Sequence, residues 1–401
     1  MIEPPLNDVR VLAVEQYGAG PFGTLFLAMM GAEVIKIENP SAGGDVSRGI
    51  GPHYSGDPAD SDSSLFFQGL NHNKKSIAVD ISTDEGKKIF NKLLPTADAI
   101  CTNLRGDVPT KLGLTYNQVK EYNERLVCAH LTGYGRENER ASRPGYDYIM
   151  QAEAGYFHLT GDPDGPPTRF GLSAIDFMTG VTMSLGLTSC LYQALRTGHG
   201  RDVDVSLFDV ALYNLNYVAM WYLNAKFEQP RVERSAHFAL VPCQLFKTAD
   251  SWIYVMCNKE KFWHQLCLKI GAGDLLADSR FKDFPARLKH RKQLTEVLDK
   301  IFIKESTEQW MERFGVEVPA SAVLSLEDAL NNSFLTDNEN IVDCEREANS
   351  PIRFLRNPVR YNEGVETACA PRLGEHTEEL LAEIGYNDAD LSQFRRDRII
   401  L

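Results

Sequence analysis

The sequence predicts an α/β protein with a Rossmann-like large domain, built on a parallel sheet, and a smaller α+β domain. The β-branched segment VRVLAV (9–14) is followed by a glycine-rich turn, a helical pattern and a second apolar segment, EVIKIE (33–38). Similar strand and helix patterns alternate to about residue 135, which is typical of a doubly wound parallel sheet. The pattern changes near Gln229–Pro230, and this change predicts the second domain.

The later elements follow in order. Strands are predicted at KKSIAVDI (74–81), DAICTN (98–103), VCAHLTGYG (127–135) and RDVDVSLFD (201–209). Helices are predicted at 84–97, 115–126 and 209–227, and near the C-terminus at GEHTEELLAEIGY (374–386). Between about 230 and 325 a β pair, CQLFKTADSWIYVMC (243–257), is followed by helical segments, which predicts a small α+β fold.

Composition restricts the class of partner. Aspartate and glutamate total 55 against 42 lysines and arginines, and the net charge of -13 argues against nucleic acid or an anionic membrane as partner. The uncharged segment 177–195 approaches the length of a membrane span. Its threonines, serines, glycines and glutamine favour a buried core helix instead. We therefore expect small molecules or another protein chain as partners.

Cysteine and histidine usage points away from metals and disulfides. The eight cysteines contain no C-x-x-C pair, and the nine histidines have no metal-binding spacing. We expect reduced, mostly buried thiols and no metal site. The start, MIEPPLNDVR, lacks the basic and apolar regions of a signal peptide, so a cytoplasmic location is predicted.

One acidic residue, Asp176, lies among glycines, hydroxyls and apolar side chains in RFGLSAIDFMTGVTMSLG (169–186). An aspartate just before a helix is most often an N-cap. A carboxylate at that place is also stabilised in its ionised form and can attack an activated acyl group. The residues alone leave both roles open. A serine nucleophile is not supported, because Ser173 lacks the G-x-S-x-G context.

Seven segments carry a family resemblance along nearly the whole chain. They are AGPFGTLFLAMMGAEVIKIE, NHNKKSIAVDI, TGYG, RPGYDYIMQAEAG, the Asp176 segment, GHGRDVDVSLFDVAL and PRLGEHTEELLAEIGY. In this order they closely resemble the class III CoA-transferases, a family that includes formyl-CoA transferase and carnitine CoA-transferase.

The resemblance implies a reaction and its nucleophile. In this family an aspartate in a G-x-x-x-x-D-x-x-x-G context attacks an acyl-CoA thioester, and Asp176 with Gly171 and Gly180 matches that context. CoA would move from an acyl-CoA donor, with succinyl-CoA expected, to a free carboxylic acid, with a dicarboxylate favoured. The intermediates would be an aspartyl mixed anhydride and an aspartyl-CoA thioester. CoA is then a substrate, and no tightly bound cofactor is implied.

The resemblance also implies a CoA site, whose phosphates require cations and backbone N–H groups. The family usually carries arginine where Lys111 stands. For Lys74 and Lys75 the alternative to a CoA contact is a position on a surface strand. Where formyl-CoA transferase has a run of glycines that closes the site, this chain has His237 and Asn258. The implied CoA-binding residues are Ala19, Gly20, Pro21, Lys74, Lys75, Asn103, Lys111 and Tyr134.

The family fold implies an interlocked homodimer, with the large domain formed by 1–225 and 326–401 and the small domain by 226–325. Two other functions remain open. Related α-methylacyl-CoA racemases carry a histidine base in a G-H-D triplet, and here the triplet is Gly145, Tyr146 and Asp147. The chain could also be a CoA-binding, non-catalytic subunit of a hetero-oligomer.

Overall fold

The computed structural model describes residues 3–57, 62–345, 351–361 and 364–401. The chain forms two compact units. The first consists of Met1–Ala154, Gly171–Asn216 and Thr336–Leu401, and the second of Gly155–Phe170 and Tyr217–Leu335. The second unit thus contains three segments, 155–170, 217–225 and 326–335, that the sequence assigned to the large domain. The functions assigned to the two domains stay predictions.

The strands form three sheets in the described part of the chain. Their bounds are β1 Arg10–Val14, β2 Glu33–Glu38, β3 Lys75–Ala78, β4 Ala99–Thr102, β5 Val127–Thr132, β6 Arg201–Ser206, β7 Cys243–Lys247, β8 Trp252–Met256, β9 Ala320–Ala322, β10 Ile341–Cys344 and β11 Ile352–Leu355.

The helices connect and cover these strands. Their bounds are α1 Ala19–Met29, α2 Leu65–Asn71, α3 Asp84–Leu93, α4 Val108–Lys111, α5 Tyr116–Val119, α6 Asp147–Glu153, α7 Tyr156–Leu159, α8 Ala174–Thr197, α9 Leu207–Asn214, α10 Tyr217–Ala225, α11 Glu260–Lys269, α12 Phe284–Lys289, α13 Arg291–Phe302, α14 Thr307–Phe314, α15 Leu326–Leu330, α16 Ser333–Asp337, α17 Thr377–Glu383 and α18 Asp388–Arg396.

A six-stranded sheet in the order β3-β2-β1-β4-β5-β6 is the centre of the first unit. Every neighbouring pair is parallel, so the predicted parallel sheet is confirmed. The strand order reverses between β1 and β4. Because the loops after these two strands diverge, the sheet has a crevice at their carboxyl ends, where ligands bind in such folds.

The sheet is covered by helices from distant parts of the chain. Helix α3 and the C-terminal helices α17 and α18 share one apolar core with the strands, in which Phe90, Leu380 and Phe394 pack with residues such as Leu12 and Ile77. The last part of the chain therefore completes a core that the first part begins.

Helices α1 and α8 cross with their backbones in direct contact. A methyl group added to Gly23 would lie 2.6 Å from the carbonyl oxygen of Gly180, and one added to Gly180 would lie 2.6 Å from the carbonyl oxygen of Ala19. No carbon atom tolerates such a separation, so glycine is required at both positions. The Ser184 hydroxyl donates to the Gly23 carbonyl at 2.8 Å and links the helices further. This crossing brings the start of α1 beside the first turn of α8.

Only one side of α8 is buried. The inner side packs against α1, β5 and β6, whereas the outer side leaves apolar residues in solvent. By length and composition α8 is the one described helix that could cross a membrane, a property shared by core helices of soluble proteins. The expectation of a buried core helix holds for the inner side alone. Its exposed apolar residues are Met178, Val181, Leu185, Tyr192 and Leu195.

The second unit contains the predicted β pair. Strands β7, β8 and β9 form an antiparallel sheet, and β7 and β8 lie within the segment 243–257 that predicted them. Helices α11, α13 and α14 pack on it around an aromatic core in which Phe302 stacks on Phe246 and meets Trp310 edge-on.

Two helix predictions need correction. The predicted helix 209–227 is two helices, α9 and α10, because Asn216 adopts a left-handed conformation (φ 42°) between them. The predicted helix 115–126 is the single turn α5, which ends before the strand β5 begins. In both cases the hydrophobic pattern continued through a backbone break that it does not encode.

The expectation of reduced thiols is wrong for one pair. Cys344, at the end of β10, is joined by a disulfide to Cys369. These residues are 25 positions apart, and Cys369 packs against the antiparallel pair of β10 and β11, so their spacing in the sequence does not indicate the contact. The other cysteines are free, and all of them except Cys190 are buried.

Replacing Gly180 by alanine should destabilise the protein. The new methyl would collide with the Ala19 carbonyl, and overpacking costs about 1–3 kcal/mol, more than the roughly 1 kcal/mol that alanine gains over glycine in a helix. Urea denaturation should show a lower midpoint for Gly180→Ala. Gly69→Ala in α2 is the matched control, because a methyl there meets no atom within 4 Å. Equal midpoints for the two variants would contradict the close crossing.

Candidate active site

Asp176 lies in the first turn of α8 but does not cap it. The N-cap position is Ser173, and the helix N-terminus is held from another element. Asp147, at the start of α6, accepts hydrogen bonds through Oδ2 from the backbone N–H groups of Ile175 (2.6 Å) and Asp176 (2.9 Å). The N-cap interpretation of Asp176 is therefore wrong, and its carboxylate is left available for other contacts.

The carboxylate of Asp176 lies against the backbone of Gly18. A Cβ on Gly18 would be 2.8 Å from Oδ2 of Asp176, so a side chain at position 18 would displace the carboxylate. Gly18 is the N-cap of α1. The first N–H groups of a helix have no intrahelical acceptor, so those of Ala19 and Gly20 have no partner within α1.

Asp176 is held in an unfavourable environment for a charge. Only 7% of the Asp176 residue is exposed. Burial first, and then the negative charge of Asp147, raise the pKa of Asp176 from 3.8 to about 7. A carboxylate with a raised pKa is more basic once ionised, and therefore a stronger nucleophile than an ordinary one.

A cavity of about 200 Å³ opens beside Asp176 at the β1/β4 crevice. Three of the predicted site residues line it: Asp176, Ala19 and Asn103. Arg105 also lines it, although the sequence pattern did not indicate this residue. The complete lining is Gln16, Tyr17, Gly18, Ala19, Asn103, Leu104, Arg105, Leu131, Thr132, Gly133, Pro144, Gly145, Tyr146, Asp176 and Leu207.

Asn103 joins the loops that follow β1 and β4. Its Oδ1 accepts from the N–H of Gln16 at 2.9 Å, and its Nδ2 donates to the Gln16 carbonyl at 2.6 Å. Asn103 also packs against Gly20, where an added methyl would be 2.7 Å from its Cβ. The side chain thus fixes the loop in front of α1, and its predicted contact with CoA remains a prediction.

The two predicted lysines occupy different environments. The Lys74 ammonium is fully buried, 2.9 Å from Glu15 Oε1 and 2.9 Å from the Pro21 carbonyl, and burial lowers its pKa to about 8. It supports the AGP turn from the protein side. The Lys75 ammonium lies 2.8 Å from both Glu33 and Glu379 and is partly exposed, as the surface-strand alternative expects.

Lys111 and Arg105 converge on one carboxylate. Both side chains hydrogen-bond to Asp107, and these bonds hold its pKa well below the ordinary value. Lys111 is exposed and Arg105 lines the cavity. Tyr134 donates its hydroxyl to Glu153 at 2.7 Å. Lys111 and Tyr134 do not line the cavity, and their roles toward CoA stay predictions.

His237 and possible metal ligands are the remaining candidates. In the second unit, His237 Nδ1 accepts from the N–H groups of Ala239 and Leu240 at 3.1 and 3.0 Å, so its imidazole orders its own loop. Across the described ranges, no group of three histidine, cysteine, aspartate or glutamate side chains is arranged to hold a metal ion.

Asp176→Asn should change how stability depends on pH. A carboxyl whose pKa is higher in the folded state than in the unfolded chain loses stabilising proton binding as pH rises from about 4 to 7. Asparagine does not titrate. The free energy of unfolding of Asp176→Asn relative to the parent should therefore increase by about 2 kcal/mol between pH 5 and pH 8 in urea denaturation. A difference that is constant over this range would contradict the raised pKa.

Comparisons with known proteins identify the family. The family model described as CoA-transferase family III matches residues 6–377. The chain is 31% identical to a succinate–glutarate CoA-transferase of Agrobacterium fabrum, over 95% of this chain and 96% of that protein. It is 30% identical to a succinyl-CoA:mesaconate CoA-transferase of Haloarcula hispanica, over 95% and 96% of the two chains.

A solved structure agrees with these sequence relationships. The crystal structure of a CAIB/BAIF family protein from Brucella suis superimposes with a TM-score of 0.83 and 29% identity, over 96% of this chain and 100% of that one. The α/β fold with its six-stranded parallel sheet is thus a fold of known relatives. Together with the family match across most of its length, this shows that the chain belongs to CoA-transferase family III, as an enzyme that acts on CoA thioesters.

Proposed function

We propose that this CoA-transferase moves CoA between carboxylic acids through covalent attachment to Asp176. One observation carries the proposal: a buried carboxylate with a raised pKa lies against the Gly18 backbone, at the start of a helix, and borders a cavity. Among the residues that the structure describes, no lysine or arginine forms an ion pair with Asp176. A buried, basic carboxylate in this environment suits nucleophilic attack better than a structural role.

The proposed reaction begins when an Asp176 oxygen attacks the thioester carbonyl of the donor. The carbon–sulfur bond breaks, leaving an acyl-aspartyl anhydride and CoA thiolate. The thiolate then attacks the aspartyl carbonyl, which releases the donor acid as a carboxylate and forms an aspartyl-CoA thioester. The acceptor carboxylate attacks this thioester, and the thiolate attacks the resulting acceptor anhydride. The products are a new acyl-CoA and regenerated Asp176, with no net change in protons.

Each attack develops negative charge on a carbonyl oxygen. The backbone N–H groups of Ala19 and Gly20 are the donors that we assign to this charge, because they lie at the α1 N-terminus beside Asp176. The absence of a side chain on Gly18 lets the reacting carbonyl approach them.

For the CoA chain we propose the path that begins at Asp176 and leads past Asn103 and Arg105 towards Lys111. The Arg105 and Lys111 charges, which meet at Asp107, supply cations for the CoA phosphates. We keep Tyr134 as a further candidate.

The acceptor that we favour is a dicarboxylate and the donor succinyl-CoA. The relatives from Agrobacterium fabrum and Haloarcula hispanica, named for glutarate and mesaconate, support this choice. The racemase alternative is less well supported, because Tyr146 lines the cavity where the racemases have their histidine.

A cytoplasmic location also stays a prediction.

Intact-protein mass spectrometry should detect a CoA-sized adduct after the protein is mixed with succinyl-CoA, and hydroxylamine should remove it. The adduct should map to the peptide that contains Asp176. Asp176→Ala should lose at least about a thousandfold in exchange rate but keep CoA binding, because only the covalent step is removed. Asp388→Ala, at an exposed position of α18, is the control and should remain active. Exchange by Asp176→Ala at a near-normal rate would rule out this nucleophile.

A homodimer is the second part of the proposal. The outer side of α8 is apolar and exposed, and its Leu185 and Leu195 are more than two-thirds exposed (69% and 67%). Helix α10, which is largely apolar, has no buried residue. Apolar surfaces of this kind mark interaction sites, and a second copy of this chain is the occupant that the family fold implies.

Light scattering should therefore give twice the chain mass of 44.9 kDa. Leu185→Glu together with Leu195→Glu should reduce the dimer fraction at low micromolar concentration, since each buries a charge in the interface. Val316→Glu, at a fully exposed position in the second unit, serves as the control and should leave the dimer intact. A monomer mass for the unmodified chain would contradict the dimer, and exchange activity of this chain alone would exclude the non-catalytic subunit.

A further inference from the structure

Tyr17 has an unusual backbone conformation at the edge of the site. Its φ of 69° lies in the left-handed region, which is unfavourable for any residue with a Cβ. Tyr17 directly precedes Gly18, the residue in contact with the Asp176 carboxylate. Strained residues of this kind persist only when surrounding groups hold them.

Asp45 holds Tyr17 in this conformation. The Tyr17 N–H donates to Asp45 Oδ1 at 3.0 Å. The same oxygen accepts from the backbone N–H of Ser47 at 2.8 Å and from its hydroxyl at 2.7 Å, which fixes the Asp45 rotamer. Only 3% of Asp45 is exposed, so water cannot replace the bond to Tyr17.

Lys36 holds Asp45 in turn. Its ammonium lies 2.7 Å from Asp45 Oδ2 and donates to the Glu15 carbonyl at 3.0 Å, and the Lys36 side chain has no exposed surface. Burial opposes ionisation of Asp45, but the Lys36 charge lowers its pKa to about 2. The Lys36 charge thus favours the ionised form of Asp45. The pair contacts the residues on both sides of Gln16.

A second support reaches the loop from the opposite strand. Asn103, after β4, makes two hydrogen bonds to Gln16, whereas Asp45 and Lys36, from β2 and the turn after it, bond to Glu15 and Tyr17. The loop is thus held from both neighbours of β1, and only its Tyr17 side is strained.

We propose that Asp45, anchored by Lys36, is a positioning residue that keeps Tyr17 left-handed and thereby holds Gly18 and the α1 N-terminus against Asp176. Asp45 does not contact the substrate and acts through the loop. The catalytic consequence rests on the proposed function, whereas the positioning of Gly18 against Asp176 does not.

The test uses the double variant Lys36→Met/Asp45→Ala, which removes both charges and leaves neither buried alone. Tyr17→Gly and Tyr17→Ala are then added separately. Both delete the tyrosine ring, but only glycine adopts the left-handed conformation without strain. The full-length chain is used throughout. The first measurement is the rate of exchange with succinyl-CoA. The second is the free energy of unfolding of each variant at pH 5 and pH 8, with and without the further substitution Asp176→Asn.

The double variant should lose about tenfold in kcat, the factor expected for an unsupported left-handed residue, with KM for succinyl-CoA changed by less than about threefold. Tyr17 lines the cavity, so the reference is Tyr17→Gly alone in the parent chain. Adding Tyr17→Gly to the double variant should bring the rate close to that reference, and adding Tyr17→Ala should leave it about tenfold lower. If the double variant does not fold, recovery of folding by Tyr17→Gly alone supports the proposal, and recovery by neither overturns it.

The stability measurement does not depend on exchange. Asp176 faces Asp147 and Tyr17, and its contact with Gly18 keeps it from water. Loss of the support should let water reach the carboxylate. The change in relative unfolding free energy between pH 5 and pH 8, measured for Asp176→Asn against Asp176, should then fall by at least half. Adding Tyr17→Gly should restore this change, and adding Tyr17→Ala should not. The proposal is overturned if the double variant keeps both the parent kcat and the parent change in relative unfolding free energy between pH 5 and pH 8. If no donor is exchanged by the parent chain, the proposed function fails while the stability result still decides the positioning.

Discussion

The close crossing of α1 and α8 is the constraint on which the site depends. Two glycines, Gly23 and Gly180, allow these backbones to touch, and the contact brings residues more than 150 positions apart to one point. A side chain on Gly18 would displace the Asp176 carboxylate, so this approach also depends on a glycine. The cavity lies beside this contact, and the Asn103 and Asp147 side chains hold the loop and the helix around it.

The electrostatics of the site follow from that tight packing. Asp147 satisfies the α8 N-terminus, and in doing so it places a second negative charge beside Asp176. One residue therefore orders the first turn of α8 and disfavours the ionised state of Asp176. In the reaction that we propose, the anhydride and thioester forms of Asp176 are uncharged, so their formation would relieve both the repulsion from Asp147 and the cost of burying a charge.

The sequence predicted the elements whose hydrophobic pattern is local. The alternation of strand and helix patterns predicted the parallel sheet. The residues around Asp176 predicted its position at the start of a helix. Features that depend on partners far along the chain were not readable. Asp147 as the cap of α8, Arg105 in the cavity and the Cys344–Cys369 disulfide all arise from contacts that spacing does not encode. Lys74, predicted for the CoA site, shows the same limit, because only the fold reveals that its ammonium lies buried beside Glu15, and its contact with CoA stays a prediction.

The first unit is discontinuous, and this has a consequence for synthesis on the ribosome. All six strands of the parallel sheet have emerged once residue 206 is clear of the exit tunnel. The core that they form with α3 still lacks Leu380, Leu381, Leu391 and Phe394, which are translated last. At about 5–20 residues per second, the nascent sheet waits on the order of ten seconds or more with this face uncovered. During that interval chaperones and proteases have access to the uncovered face, and this access ends only when the C-terminal helices pack on it.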